Sequence, residues 1–260
     1  TQEFNKLFDG IRIFENPKNP NDMKKLIEYV TNSQDNDIIL DFFSGSGPTA
    51  HAVMQLNKED GGNRQFICVQ LPELCDKKSV AYKAGYKNIC EIGKERIRRA
   101  GAKLLEADGQ IALGEADKAP LDVGFRVFKL DTSNCRAWDN SPVMEDDLIT
   151  LESRINSMIE RVKPDRSDLY MIFVIMLKRG TPLTESVTAL EIVGKTAYSV
   201  RDDCLLMVCL QDGITAEIVE QMAEYAPARI IFGQNCFADI TAMSNAKLIL
   251  RDRGIEIKFV

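Results

Sequence analysis

The most constraining feature of the chain lies at residues 38–53. Ile38-Ile39-Leu40 is a short, unbroken apolar run, the pattern of a strand buried on both faces of a parallel sheet. It passes at once into Asp41-Phe42-Phe43-Ser44-Gly45-Ser46-Gly47-Pro48, and a helix is predicted from Thr49 to Leu56. A glycine bend between a buried strand and a helix start leaves unpaired backbone N–H groups facing outward. The glycines let main chain approach a ligand closely, and the helix N-terminus favours a carboxylate or phosphate there. Pro48 suits the first helical turn, where its missing N–H costs nothing. After a Gly61-Gly62 turn, Phe66-Ile67-Cys68-Val69-Gln70-Leu71 reads as the next strand, completing a right-handed β-α-β unit.

The flanks of the bend separate two ligand classes. Gly45, Gly47 and Ala50 satisfy the loose G-x-G-x-x-A dinucleotide pattern, which leaves a nicotinamide-dependent oxidoreductase as one reading. A dinucleotide site, however, wants its glycines directly after the strand and an acidic residue about 20 positions on. Here Asp41 precedes the glycines, and the second strand ends with Gln70 and Glu73. A carboxylate followed by an aromatic suits a ligand with a positive centre and its own carboxylate, so S-adenosylmethionine fits better than NAD.

Elsewhere, a helix is expected at 23–30, capped by Asn21 or Asp22, and a longer one over 77–105. Residues 106–122 read as an exposed connection, and Val123–Leu130 alternates like a strand. From about residue 144 a second, small α/β domain is expected. Its helices fall near 145–162, 166–179, 215–225 and 238–252, and its strands near 187–193, 196–200, 205–210, 228–232 and 255–259. The fold class is therefore α/β: a partial Rossmann-like unit over 1–143, then the smaller α/β domain over 144–260.

Charge and composition narrow the function. With 33 Lys+Arg against 39 Asp+Glu the chain is acidic, whereas a chain that grips DNA unaided is usually basic. Seven scattered cysteines without a C-x-x-C pair, and a single histidine, argue against a zinc site of usual spacing. No apolar run reaches the ~18 residues of a membrane span, and the start resembles no signal peptide, which together predict a soluble, cytoplasmic chain. His51 is expected to pack within its helix. The basic run Lys94–Lys103 is read as the solvated face of an amphipathic helix, and Cys204 and Cys209 as packing groups. Ser44 and Ser46 have no base beside them in sequence, so no catalytic nucleophile is assigned.

The loop Asp41-Phe42-Phe43-Ser44-Gly45-Ser46-Gly47-Pro48-Thr49-Ala50-His51-Ala52-Val53 resembles the cofactor loop of amino-group DNA methyltransferases. With Asn57–Arg64, Val69–Glu73 and Gly93–Ala100 it is similar to the modification subunit of type III restriction-modification systems, which methylates adenine N6. Gly124–Leu130 and Gly254–Lys258 extend the likeness to that subunit's C-terminal region. The resemblance implies S-adenosylmethionine held by Lys18, Asp41, Phe42, Phe43, Gly45, Ser46, Gly47, Thr49, Gln70 and Glu73. Pro17-Lys18-Asn19 matches the family's Pro-Lys-Pro motif except at Asn19. Pro48 stands where the family usually has Thr, which predicts weaker cofactor binding with the loop shape kept.

The family's Asp-Pro-Pro-Tyr motif, which holds the flipped adenine, has no counterpart here, since no two of the nine prolines are adjacent. In the family that motif precedes the cofactor loop, so the expectation is a C-terminal part of a modification subunit, inactive alone. Its implied partners are DNA, chiefly through other regions, the restriction subunit, and a second copy of itself. A non-catalytic assembly module is the other reading.

Overall fold

A computed structural model describes residues 2–108, 121–144, 147–159, 162–163 and 165–260. The expected connection over 106–122 lies mostly outside them. The chain divides into two units, Thr1–Arg126 and Val127–Val260. The division thus falls within the segment assigned above to the first domain.

The first unit begins with α1 (Gln2–Leu7) and α2 (Pro20–Val30). Asn19 caps α2 by accepting from the Asn21 N–H, and Pro20 fills its first turn. Strand β1 (Ile38–Asp41), helix α3 (Pro48–Asp60) and strand β2 (Gln65–Cys68) form the β-α-β unit. The strands pair in parallel, with Ile39 opposite Phe66 and Asp41 opposite Cys68. Asn57 closes the return: its Nδ2 donates to the Arg64 carbonyl and its Oδ1 accepts the Arg64 N–H. Arg64, itself buried, donates from Nε to Thr31 Oγ1 and pairs with Asp60.

The long helix expected over 77–105 is two. A short α4 (Val80–Lys83) is capped by Ala84 and followed by Gly85, whose φ of +100° other residues reach only with strain, and α5 (Ile89–Asp108) starts afresh. A bridge between Leu74 and Asn88 joins the turn to the chain that follows β2. Residues 121–130 form no ladder: Val123 and Phe125 are instead straps laid on the core of Phe4, Phe8, Met54, Ile92, Ile97 and Ala100. The alternation expected of a strand holds only as far as Phe125, Val127, Phe128 and Leu130 being exposed, and no strand among the described residues pairs with the segment.

One face of the β1–β2 pair is covered, Ile39 and Phe66 packing with Ile27, Ala52, Val53 and Leu56. The other is bare, with Ile38, Leu40, Ile67 and Val69 each about half exposed. Parallel strands ordinarily carry cover on both faces.

The second unit holds α6 (Leu148–Ile159), α7 (Asp168–Arg179), β3 (Val187–Ile192), β4 (Lys195–Val200), β5 (Leu206–Cys209), α8 (Ala216–Glu224), β6 (Arg229–Phe232), α9 (Ile240–Asp252) and β7 (Glu256–Phe259). The strands lie in the order of their numbers, β3-β4-β5 antiparallel and β5-β6-β7 parallel. Val193 and Gly194, both at positive φ, turn the β3–β4 hairpin as a two-residue loop requires. Both sheet faces are packed. Ile172, Ile175 and Met176 of α7 meet Val200, Val208 and Ile231. Met222 of α8 and Leu250 of α9 join a second cluster with Met207, Ile230 and Phe232. Cys204 and Cys209 are buried free thiols in this unit. Among the described residues no helix is long and apolar enough to cross a membrane.

Candidate functional site: a clamped glycine bend

The bend 41–48 is held from inside by hydrogen bonds to α3, to the chain just after β2 and to α5. Asp41 leaves β1 with both carboxylate oxygens engaged, Oδ2 accepting from Thr49 Oγ1 at 2.5 Å and Oδ1 from the Phe43 N–H at 3.2 Å. The Gly45 N–H donates to Gln70 Oε1 at 2.7 Å, and the Ser44 N–H to the Val69 carbonyl at 3.1 Å. The Gly47 N–H turns back to the Ser44 carbonyl at 2.7 Å. Gly47 sits at φ +74°, a left-handed position, immediately before Pro48 opens α3. A Cβ at Gly47 would lie 3.3 Å from the Gly93 carbonyl oxygen, and one at Gly93 would lie 3.1 Å from that of Gly45. Two glycines facing each other thus let α5 touch the bend.

The second clamp is Arg96 of α5, fully buried. Its Nη1 donates to Ser46 Oγ at 3.0 Å and its Nη2 to the Lys18 carbonyl at 3.3 Å, while Phe4 lies against the guanidinium, ring centroid 5.1 Å from Cζ. Burial draws its pKa down to about 10, and Glu3 opposes that shift. The expectation of a solvated basic run therefore fails at Arg96. It fails in part at Arg99, which lies over Phe8 and bonds the Leu7 carbonyl and Asp9. The signal was available in the spacing: Ile92, Arg96 and Ala100 are four apart, on the stripe that faces the core.

His51, one turn into α3, packs as expected and is buried, its Nδ1 without a partner among the described residues. Burial, then the charges of Arg96 and Lys103, lower its pKa to about 3, so the ring is neutral. The Cys68 thiol is pushed up to about 11 by burial and by Asp41, which makes it inert.

Two clefts open in this unit, one beside the bend and one beside the Lys18 segment that Arg96 ties to it. One, about 290 Å³, is lined by Met23, Ile27, Ile39, Leu40, Asp41, Phe42, Phe43 and Thr49, and the Phe42 and Phe43 rings are largely exposed in contact with each other. The other, about 350 Å³, is lined by Gln2, Glu3, Phe4, Lys18, Asn19 and Pro20. Nine of the ten residues expected in the site are brought together here, either lining these clefts or bonded into the bend and its Arg96 clamp. Glu73 is exposed on the chain beyond β2, and its backbone N–H bonds the Leu71 carbonyl.

Residues 2–100 match the DNA methylase family. The matched segment carries the whole of the clamped bend. The chain is 45% identical to the type III restriction-modification enzyme StyLTI Mod subunit of Salmonella typhimurium over 131 residues, half of this chain and 19% of that protein. It is 26% identical to the EcoPI Mod subunit of Escherichia phage P1 over 236 residues, 86% of this chain and 32% of that one. With the EcoP15I Mod subunit of Escherichia coli it shares 29% over 240 residues, 89% of this chain and 33% of that one. The chain thus spans a fifth to a third of the length of these relatives, and the likeness to two of them runs through both units.

Proposed function

We propose that this chain is the cofactor-loop portion of a type III modification subunit, an adenine-N6 DNA methyltransferase that takes its methyl group from S-adenosylmethionine. The single observation that carries the reading is the glycine bend, tied to Gln70, Arg96 and Thr49, in a segment that matches DNA methylases. The donor set suits this cofactor. Lys18, the buried cation of Arg96 and the first turn of α3 put positive potential where a carboxylate would lie. The exposed Phe42 and Phe43 rings offer an apolar surface to the adenine. S-adenosylmethionine supplies an activated methyl; the residues of this chain bind and orient it.

Asp41, Gln70 and Thr49 act through the bend. Asp41 and Gln70 spend their oxygens on bend groups, so in this reading they shape the backbone that the cofactor touches. Glu73 completes the proposed set from the rim. The bare face of β1–β2 supports a partial Rossmann-like domain, whose remaining strands and helices would cover Ile38, Leu40, Ile67 and Val69. Base capture, DNA reading, pairing with a second copy and docking of the restriction subunit are assigned to the full-length protein.

Calorimetry is expected to detect S-adenosylmethionine binding by this chain, with NAD weaker, and radiolabelled cofactor is expected to transfer no methyl to adenine-containing duplex. Tighter NAD binding would overturn the cofactor assignment, and methyl transfer the partial-enzyme one. Asp41→Asn turns an N–H₂ or a weaker acceptor toward Thr49 or Phe43, and is expected to weaken cofactor binding about tenfold, or roughly 1.4 kcal/mol. Unchanged affinity removes Asp41 from the site. The second reading is an assembly module without catalysis, which predicts binding to partner subunits and none to cofactor.

A further inference from the structure

We propose that Arg96 is the positioning residue that holds the Lys18 segment and the glycine bend at the spacing needed to grip the amino-acid end of the cofactor. The inference rests on the cofactor reading above. Lys18 and Ser46 are far apart in sequence, and one planar guanidinium bonds both, at 3.3 Å and 3.0 Å. Arg96 reaches them from α5, whose Gly93 is the close-approach point of the same bend. Three segments therefore converge on one side chain that is itself shielded from solvent.

The bonding pattern distinguishes this role from ordinary packing. A buried arginine is normally matched with a carboxylate, because an uncompensated charge is costly away from water. Among the described residues Arg96 bonds a hydroxyl and a carbonyl and meets an aromatic ring, and its Nε is buried without a hydrogen-bond partner. Glu3 offsets its charge only through space, with no carboxylate bonded to the guanidinium among these partners, so part of the positive charge stays available just behind the bend and the start of α3. A carboxylate arriving on the outer side of Ser46 and Lys18 would feel that charge with little water between. Lysine cannot substitute, since a single ammonium lacks the rigid fork that spans two acceptors.

The test compares S-adenosylmethionine with 5′-methylthioadenosine, which keeps the adenosine and the sulfur but lacks the amino-acid arm. Binding of both to the intact chain is measured by calorimetry for wild type, Arg96→Lys, Arg96→Met and Ser46→Ala. Thermal unfolding of each variant is followed in parallel. Arg96→Lys is expected to weaken S-adenosylmethionine about tenfold or more and 5′-methylthioadenosine less than about twofold. Ser46→Ala, which removes one acceptor and leaves the arginine in place, is expected to give a smaller loss with the same selectivity. Equal losses for both ligands in Arg96→Lys and Ser46→Ala would mean that the arginine merely props the fold, and would overturn the proposal. Unchanged S-adenosylmethionine binding in Arg96→Lys would overturn it too while leaving the cofactor reading intact. Failure of the wild-type chain to bind S-adenosylmethionine would overturn both.

Discussion

Gly47→Val is expected to abolish cofactor binding and to destabilise the first unit by about 3 kcal/mol. Two penalties add. A left-handed backbone costs an L-residue roughly 1–2 kcal/mol, and a β-branched one more. The new side chain must also enter the gap where its Cβ alone would lie 3.3 Å from the Gly93 carbonyl and 3.5 Å from Ile97 Cγ1. Neither neighbour yields readily, since one is helix backbone and the other is a buried core side chain. The bend then has to open, breaking the bonds from Gly47 to Ser44 and from Gly45 to Gln70. Gly61→Ala is the control. Gly61 has a similar φ of +70° but open space around it, so only the conformational cost, about 1 kcal/mol, is expected, with cofactor affinity kept. Hydrogen exchange of the α3 amides and calorimetry read the two effects. Equal behaviour of the two variants would mean that contact with α5 is irrelevant to the bend.

The second large effect is on acid stability. His51 is held neutral, its pKa about 3 in the folded chain against 6.5 when exposed. Below pH 6.5 the unfolded chain therefore binds a proton that the folded chain refuses. Stability is fully present above that value and drains away as the pH falls toward 3. The loss reaches about 3 kcal/mol by pH 4. Carboxylates titrate in the same range, so the informative quantity is the difference from a variant. His51→Gln is expected to lower stability at pH 7 but to lose far less of it between pH 6.5 and 4, read as opening free energies of the α3 amides by hydrogen exchange. Parallel pH profiles for the two proteins would show that His51 charges without hindrance in the folded state.

What could be read in the sequence follows from how local each cause is. The path from Ile38 through the glycines into α3 was legible because apolar run, left-handed glycine and Pro at the first helical position act over a few residues each, but the burial on both faces expected of Ile38–Leu40 is not met, since Ile38 and Leu40 are exposed. The strands and helices of the second unit were legible to within a few residues for the same reason. Val123–Leu130 shows the limit: alternation reports which side chains turn inward, and Phe125 does so, but a ladder needs a neighbour that periodicity cannot supply. The break at Gly85 was missed because one glycine in a helical pattern reads as tolerable, whereas the Leu74–Asn88 bridge makes it a stop. Residue type misled at Arg96, since arginine is usually solvated and the two acceptors that make its burial tolerable lie 50 and 78 positions away. Asp41 was expected to face a ligand; the bonds it accepts from Thr49 and the Phe43 N–H depend on how the bend folds back, which residue type alone does not report.

The bonds that shape the bend all come from within residues 18–96, and they lie on the covered side or the rim of the β1–β2 pair, not on its naked side. Precision and adhesion are thus assigned to opposite surfaces of the same two strands. Whatever sequence is laid over Ile38, Leu40, Ile67 and Val69 has to match only an oily, forgiving plane, and can be exchanged without retuning the hydrogen bonds behind it. On the proposed reading, such an arrangement would let the cofactor bend be kept unchanged while the segment over the bare face varies.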